Sequence, residues 1–288
     1  MTKLLSIRVV AILIGIGLAV TVLFWSLVPG VIAFVTEGQA EHLPYEEPRD
    51  FDFSFDGPFG KWDVQQLQRG LKVYDEVCSA CHSLKYVAFR NLSELGYDES
   101  QVKAYAAAKQ VPGIDPNTGE ATTRPGLPTD YFPSPYPNNV AAAAANNNAI
   151  PPDLSLITKA RGDGTNYVAS LLSGYQEPSA ELLAEHPEAA PGPGLYHNPY
   201  FPNLNLAMAP PITMDGQVTY DDGTEATIEQ MSIDVAAFLT WTAEPTLIQR
   251  KQTGWPVLIF LLFATVLAYL SKNQIWAAVK PKKNKKSD

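Results

Sequence analysis

Two uncharged apolar stretches enclose a more polar region in which apolar residues recur at helical spacing. Residues 9–35 carry no charged side chain, and residues 254–271 read GWPVLIFLLFATVLAYLS. Each is close to the ~20 residues that cross a bilayer as a helix. The polar region contains four amphipathic stretches with capping residues, glycine or proline at their ends. We predict helices from these stretches at residues 63–78, 98–108, 163–172 and 224–244.

The other polar segments predict loops rather than long regular elements. Many of the 24 prolines and 19 glycines lie between Pro112 and Pro211, and both residue types interrupt helices and strands. The alanine and asparagine run at residues 141–148 is short enough to be a helix end or a loop. We expect residues 36–60 to wrap the domain as an extended lead-in. The helix before residue 78 and the helix after residue 224 are expected to cross.

Charge is distributed unevenly along the chain. The net charge is −9, and 29 acidic and 13 basic residues lie between Thr36 and Lys251. The second apolar stretch is followed by six lysines: Lys272, Lys280, Lys282, Lys283, Lys285 and Lys286. The acidic region is either an ordinary solvated surface or a field that attracts a basic partner. Charge alone leaves both interpretations open.

The lysine-rich tail predicts the membrane topology. By the positive-inside rule the carboxyl terminus is cytoplasmic, which puts the central domain in the periplasm of a bacterium, or alternatively in the mitochondrial intermembrane space. The first apolar stretch is either a retained anchor or a cleaved signal, because Gly-Gln-Ala at 38–40 offers a cleavage site. The predicted parts are a signal or anchor at 1–36, a domain at 37–250, a transmembrane helix at 251–272 and a basic tail at 273–288.

The most specific chemical motif is Cys-Ser-Ala-Cys-His at residues 78–82. Two thiols three positions apart on one turn can reach the two vinyl groups of a porphyrin edge, and the next residue can bind the iron. A redox dithiol or half of a zinc site is the alternative, but Cys78 and Cys81 are the only cysteines. We therefore predict one covalently attached haem c with His82 as an iron ligand.

The iron needs a sixth ligand, or it remains open to small molecules. The candidates are Met208, Met214, Met231, His42, His186 and His197. The histidines lie in polar or proline-rich segments where we expect exposure, and Met231 fits the core stripe of the last amphipathic helix. Met208 precedes Ala-Pro-Pro, which stiffens the backbone, and Met214 is the next choice. A Met/His pair raises the reduction potential and favours electron transfer over catalysis.

Ordered segments of the chain resemble the cytochrome c1 family, the haem subunits of ubiquinol–cytochrome c reductase. The resemblance runs from about Phe53 through the carboxyl-terminal anchor. It is carried by RG at 69–70, VYDEVCSACH at 73–82, RPG at 124–126, DYFP at 130–133, ANN at 145–147, PPDLS at 151–155, YFP at 200–202, MAPP at 208–211, DDGT at 221–224 and WTAEP at 241–245. The amino-terminal stretch departs from the family, whose members usually lose a leader.

The resemblance implies roles for eight residues. They are the thioether residues Cys78 and Cys81, the iron ligands His82 and Met208, the residues near the haem propionates, Arg124 and Tyr131, and the loop residues Pro151 and Pro152. An arginine fork suits a propionate carboxylate. The proline loop is expected to supply a carbonyl that orients the histidine ring.

The resemblance also implies a fold and a function. The fold would be mostly helical, a class I cytochrome c-like domain with long loops on a carboxyl-terminal transmembrane helix. The chain would pass electrons from the Rieske iron–sulfur protein to a soluble or membrane-anchored cytochrome c, within a dimeric complex that contains cytochrome b and couples quinol oxidation to proton translocation. Acidic pairs at 46–47, 50–52 and 221–222 would steer the acceptor. The rival interpretations are a stand-alone anchored cytochrome, a haem enzyme or gas sensor with an open sixth position, and a structural scaffold.

Overall fold

The computed structural model describes residues 7–36 and 43–279. The chain divides into two units at residue 45, and the first unit contains helix α1, Ile7–Thr36. The α-helices and strands of the second unit are α2 (Val64–Val73), α3 (Glu99–Ala108), β1 (Gln110–Ile114), β2 (Ala121–Pro125), α4 (Asn139–Ala145), α5 (Gly164–Ser173), α6 (Ala180–Glu185), β3 (Tyr196–His197), β4 (Asn205–Leu206), α7 (Ile228–Ala243) and α8 (Leu247–Ala277). This unit also contains a π-helical turn, Tyr74–Cys78, and two short 3-10 helices, Phe89–Leu95 and Pro187–Ala189. The mostly helical class is confirmed.

The predicted helix before the cysteine motif is confirmed, but its last turn is π-helical rather than α-helical. Asp63 caps α2, because its side chain accepts hydrogen bonds from the backbone N–H groups of Gln65 and Gln66 at 3.0 and 3.2 Å. After Val73 the backbone continues as a π-helical turn, Tyr74–Cys78. A wider turn of this kind is common at functional sites, and here it delivers the first cysteine.

The other predicted helices of the domain are also confirmed. Asp98 and Gln101 form a reciprocal capping box at the start of α3. Helix α5 ends next to Gly174, and α7 begins after the cap residue Thr227, whose hydroxyl accepts from Gln230 N–H at 3.0 Å. The run at 141–148 begins as the last part of a short helix, α4, which ends at Ala145, and Asn147 and Asn148 beyond it have positive φ.

Helices α2 and α7 cross at Gly70, as expected. A methyl group at Gly70 would overlap the carbonyl oxygen of Asp234 and lie 2.6 Å from Cβ of Phe238, so only glycine permits this approach. Beside the crossing, Arg69 Nε donates to the fully buried Asp234 carboxylate at 2.8 Å. Because that carboxylate is paired and hydrogen-bonded, its burial is tolerated.

The hydrophobic core lies between the crossing helices and the segments that follow the motif. Its largest side chains with less than 2% exposure include Trp241, Tyr74, Phe89, Phe238 and Met231. Each buried aromatic or large aliphatic side chain stabilises the fold by roughly 1.5–3 kcal/mol relative to exposure. The lead-in also contributes from residue 46 onward, because Arg49 N–H bonds Ser170 Oγ at 2.9 Å and Phe53 is buried. That part of the lead-in wraps the domain as expected.

Two small antiparallel hairpins were not predicted. Strands β1 and β2 pair from Gln110↔Pro125 to Ile114↔Ala121, and β3 pairs with β4. Their sequences lack alternation of apolar and polar residues, and Pro112 and Gly113 lie inside β1. In β1 and β2 the signal was missing because only Val111 is buried, and the alternation of apolar and polar residues reflects burial more than pairing. Strands β3 and β4 have two residues each, which is too few to show alternation.

Two helices of the described residues are long and apolar enough to cross a membrane. They are Val9–Ile32, with a mean hydropathy of 2.5, and Leu247–Ala277, with 2.0. A signal sequence would satisfy the same criteria as the first, so anchor and signal both remain predictions. The possible cleavage site at 38–40, His42 and the lysines from Lys280 onward lie outside the described residues.

Candidate haem site

The cysteine motif lies on one tight turn at the end of α2. The backbone N–H groups of Cys81 and His82 both donate to the carbonyl oxygen of Cys78, at 3.1 and 2.9 Å. Cys78 is 8% exposed and Cys81 is half-buried. Burial, with a smaller contribution from Cys81, raises the pKa of the Cys78 thiol to about 12.

The histidine of the motif is held by the predicted proline loop. Nδ1 of His82 lies 2.7 Å from the carbonyl oxygen of Pro152. Because a carbonyl only accepts, Nδ1 carries the proton and Nε2 keeps a free lone pair. Burial lowers the pKa of His82, and the bond to Pro152 offsets part of this effect. The ring is therefore neutral and oriented, as a metal ligand requires.

The loop that carries Pro152 is fixed to the motif by Asp153. Its carboxylate accepts from Ser83 Oγ at 2.7 Å and from the N–H groups of Lys85 and Ser155 at 2.9 and 3.0 Å. Burial alone would raise the pKa of Asp153, but these hydrogen bonds lower it below the usual value. Asp153 lies inside the PPDLS segment, but the sequence did not reveal that its carboxylate joins the proline loop to the residues after the cysteine motif.

Tyr74 is a second site residue that sequence reasoning missed. Its hydroxyl donates to the carbonyl oxygen of His82 at 3.0 Å, and its side chain is 1% exposed. Burial raises the pKa of Tyr74 well above the ordinary tyrosine value, so the hydroxyl stays protonated and remains a donor. Its helical spacing identified it correctly as core, but gave no sign that its hydroxyl also holds the backbone of the motif at His82.

Met208 lies in the described loop after β4, half-buried against the core. Its backbone carbonyl accepts a hydrogen bond from Tyr175 Oη at 3.0 Å. Burial raises the pKa of Tyr175 above the usual value, which keeps this donor protonated. Tyr175 follows α5 and thereby links the Met208 loop to the body of the domain, another contact that the sequence did not reveal.

The other candidates for a sixth ligand occupy different surroundings. Met231 is fully buried in α7, as expected, and Met214 is 62% exposed. His186 is half-buried, with Nδ1 3.1 Å from Glu188 Oε1. The expected exposure of His197 is wrong, because it is only 6% exposed. Pairing of β3 with β4 turns it inward, although prolines flank this region.

Arg124 pairs with Asp130, the residue that precedes Tyr131 in the chain. The Arg124 guanidinium makes a two-pronged contact with the Asp130 carboxylate, at 2.6 and 2.8 Å. Hydrogen bonds from Arg124 and from Leu127 N–H lower the pKa of Asp130 to about 2. Tyr131 forms a single bridge with Ala88 and is 51% exposed. The expected contact of either residue with a propionate remains a prediction.

The residues present fit a covalently attached haem. Two thiols and a neutral, oriented imidazole come from one turn, and a thioether sulfur comes from a loop that is itself anchored. Among the side chains that the structure describes, no group of three His, Cys, Asp or Glu converges to hold a metal by itself. An iron in a porphyrin needs one or two ligands from the protein, and the neutral imidazole of His82 is one suitable donor; the approach of Met208 to it remains a prediction.

The family model and the curated relatives that match this chain point to the same protein family. The model of the Cytochrome C1 family matches residues 53–279. The chain is 48% identical over 238 residues to cytochrome c1 of Rhodospirillum rubrum, covering 80% of this chain and 87% of that protein. It is 40% identical over 257 residues to a mitochondrial heme protein of Solanum tuberosum, cytochrome c1-2, covering 89% of this chain and 96% of that protein.

A third relative is longer than this chain. Cytochrome b/c1 of Bradyrhizobium diazoefficiens is 46% identical over 253 residues, which is 81% of this chain but 36% of that protein. The family model covers most of the chain, including the cysteine motif, the proline loop, Met208 and all of α8. By these matches, and by the order of segments already seen in the sequence, the chain belongs to the cytochrome c1 family.

Proposed function

We propose that this chain is the electron-carrying haem subunit of a ubiquinol–cytochrome c reductase. It would receive electrons from the Rieske iron–sulfur protein and deliver them to a soluble or membrane-anchored cytochrome c. A haem c bound at the site would supply one-electron oxidation and reduction. Quinol oxidation and proton translocation would belong to the complex, in which cytochrome b is a partner and the assembly is a dimer.

In this proposal the chain's own residues attach and orient the cofactor. Cys78 and Cys81 would hold the haem through thioether bonds, and His82 and Met208 would bind its iron. The Pro152 carbonyl holds the His82 ring through the Nδ1 proton, which leaves Nε2 for the iron. A methionine in the sixth position would close the iron to small molecules and raise its potential. Membership in the family supports the Met208 assignment, as does its half-buried, anchored loop.

The fold and the topology belong to the same proposal. The crossing of α2 and α7 supports a class I cytochrome c-like domain. Helix α8 would span the membrane with the lysine-rich tail in the cytoplasm, and the domain would face the periplasm or the intermembrane space. The acidic surface would speed the docking of a basic acceptor. Arg124 and Tyr131 would lie near the propionates.

One observation carries the proposal most strongly. The CxxCH turn presents a histidine whose Nδ1 is fixed at 2.7 Å by a carbonyl from a distant loop, in a chain of the cytochrome c1 family. A neutral imidazole held in this way is prepared for a metal and has no other use evident among its contacts. Electron transfer follows from the family and from the proposed Met/His pair.

Purification in mild detergent tests the proposal. A tagged full-length chain should bring cytochrome b and an iron–sulfur protein with it. Addition of ubiquinol should reduce the c-type haem, and addition of soluble cytochrome c should reoxidise it. The variant with both Cys78→Ser and Cys81→Ser is the control and should lose this absorbance change. A native chain that purifies alone and is not reduced by ubiquinol would favour a stand-alone anchored cytochrome instead.

A further inference from the structure

An exposed aromatic side chain lies at the tip of a loop in the lead-in. Phe59 is 81% exposed, the highest value among the large hydrophobic side chains that the structure describes. Exposure of one phenyl ring is unremarkable in itself. Here, however, the backbone of the loop is fixed so that the Phe59 ring projects into solvent. The ring also contacts Trp255, an aromatic residue near the start of α8, which is a candidate membrane-spanning helix.

The loop around Phe59 is closed at its base. Lys61 N–H donates to Ser54 O at 2.8 Å, and Asp56 N–H donates to Phe53 O at 2.9 Å. At Gly60 the backbone passes so near the Phe55 carbonyl that a Cβ atom would overlap it. Below the loop, Phe55 is 3% exposed. The base is thus anchored in the core while the tip points away from it.

The tip of the loop meets the start of α8. The Phe59 ring stacks on Trp255, with centroids 6.4 Å apart and planes at 20°. One turn earlier in the helix, Lys251 Nζ donates to the carbonyl oxygen of Phe55 at 2.7 Å. Trp255 is the first aromatic residue of the apolar stretch, and the side chains that follow it, such as Leu258 and Ile259, are exposed. The two rings therefore continue the apolar surface of the helix.

The start of α8 is also fixed to the domain from its other side. Leu247 is 7% exposed and belongs to the core. The Glu244 carboxylate bonds Lys159 Nζ at 3.2 Å and also pairs with Arg250. Contacts on both sides therefore join the first turns of α8 to the domain.

We infer that Phe59 and Trp255 form a membrane contact that inserts into the lipid headgroup region of the outer leaflet. The inference rests on the proposed spanning role of α8. Tryptophan at the end of an apolar helix prefers this region, and cations such as Arg250 and Lys251 one turn outside it are adjacent to lipid phosphates. The lipid surface is favoured over a protein partner because the two rings are continuous with the apolar face of the helix. The contact sets the height and tilt of the haem domain above the membrane.

Site-directed spin labelling tests the contact. The haem-loaded full-length chain carries Phe59→Cys in phospholipid nanodiscs, with the label attached to the new thiol. Because Cys78 and Cys81 are the only other cysteines, thioether attachment would leave position 59 as the only free thiol. Two control sites are Leu261→Cys in α8 and Glu120→Cys in the β1–β2 turn. The probes are oxygen, which concentrates in the bilayer, and a water-soluble nickel chelate.

The ratio of oxygen to nickel collisions decides the outcome. We expect the ratio at position 59 to exceed that at position 120 severalfold and to stay below that at position 261, because the headgroup region is shallower than the bilayer interior. A ratio equal to that at position 120 overturns the inference, since the ring would face water. Protection of position 59 from both probes in the assembled complex also overturns it, since another subunit would cover the ring. An aqueous ratio at position 261 would instead reject the spanning role of α8.

Discussion

The carbonyl oxygen of Pro152 accepts a hydrogen bond from Nδ1 of His82 over 2.7 Å, although the residues lie 70 positions apart in the chain. Further hydrogen bonds hold both partners of this contact, the His82 turn and the proline loop. Tyr74 holds the carbonyl of His82, and Asp153 fastens the proline loop through Ser83 and two backbone N–H groups. The imidazole orientation is therefore a property of the fold before any ligand binds.

Removal of the Asp153 carboxylate should loosen this arrangement. We expect Asp153→Ala to lower the free energy of unfolding by about 2–3 kcal/mol, because three donors lose a charged acceptor. Denaturant titration of the haem-loaded protein measures the change. The matched control is Asp221→Ala. The Asp221 side chain is 90% exposed and forms a surface ion pair with Lys72. Surface pairs contribute ~0–1 kcal/mol, and equal losses in both variants would contradict the fastening role of Asp153.

Replacement of the proposed sixth ligand should change the redox chemistry without removing the cofactor. We expect Met208→Leu to retain covalent haem but to lower the reduction potential by on the order of 100 mV or more, since axial ligands set the potential. The reduced variant should also bind carbon monoxide. Met214→Leu is the control, because Met214 is 62% exposed. An unchanged potential in the Met208 variant, measured by redox titration, would reject Met208 as ligand.

The helix crossing should not tolerate a methyl group. In Gly70→Ala the new Cβ would overlap the Asp234 carbonyl oxygen, so α2 and α7 must separate. We expect a loss of about 1–3 kcal/mol in the free energy of unfolding, the usual cost of overpacking. At Gly162 a Cβ would meet nothing within 4 Å, and Gly162→Ala should leave stability nearly unchanged. Similar denaturation midpoints for the two variants would contradict the close crossing.

The Arg124–Asp130 pair predicts a defined pH dependence. The pKa of Asp130 in the folded protein is about 2, below the ~3.9 of an unfolded aspartate. The carboxylate therefore stabilises the fold above the unfolded pKa, and this contribution is lost as pH falls through the folded pKa. We expect wild type to be more stable than Asp130→Asn at pH 6, and the difference to disappear toward pH 2. Thermal melting against pH measures it, and a difference that grows on acidification would contradict the pairing.

Sequence pattern predicted the long elements and failed on the short ones. Helices α2 and α7 were predictable because their apolar positions repeat over many residues and their caps, Asp63 and Thr227, are local signals. Hairpin β1–β2 was not, because exposed strands leave no alternation. The inward turn of His197 was also missed, since it depends on pairing with Asn205 in a strand of two residues.

The site was predictable to a similar degree. One motif predicted the attachment residues, residue chemistry made Met208 the first candidate for the sixth ligand, and the resemblance to the family strengthened Met208 and implied the proline loop. The fastening contacts could not be derived, because they join residues that are distant in the chain, such as Tyr175 and Met208. The sequence shows an aspartate at position 153 but does not show whether its carboxylate is solvated or accepts three hydrogen bonds, as it does in the fold. Only the fold distinguishes the two.

The covalent attachment of one haem through Cys78 and Cys81 is tested most directly by the intact mass of the purified chain. After denaturation and acid–acetone extraction, which removes any haem that is not covalently bound, the chain should retain the added mass of one haem. The Cys78→Ser, Cys81→Ser double variant should not. A wild-type chain that loses its haem on extraction and then shows two free thiols would contradict thioether attachment.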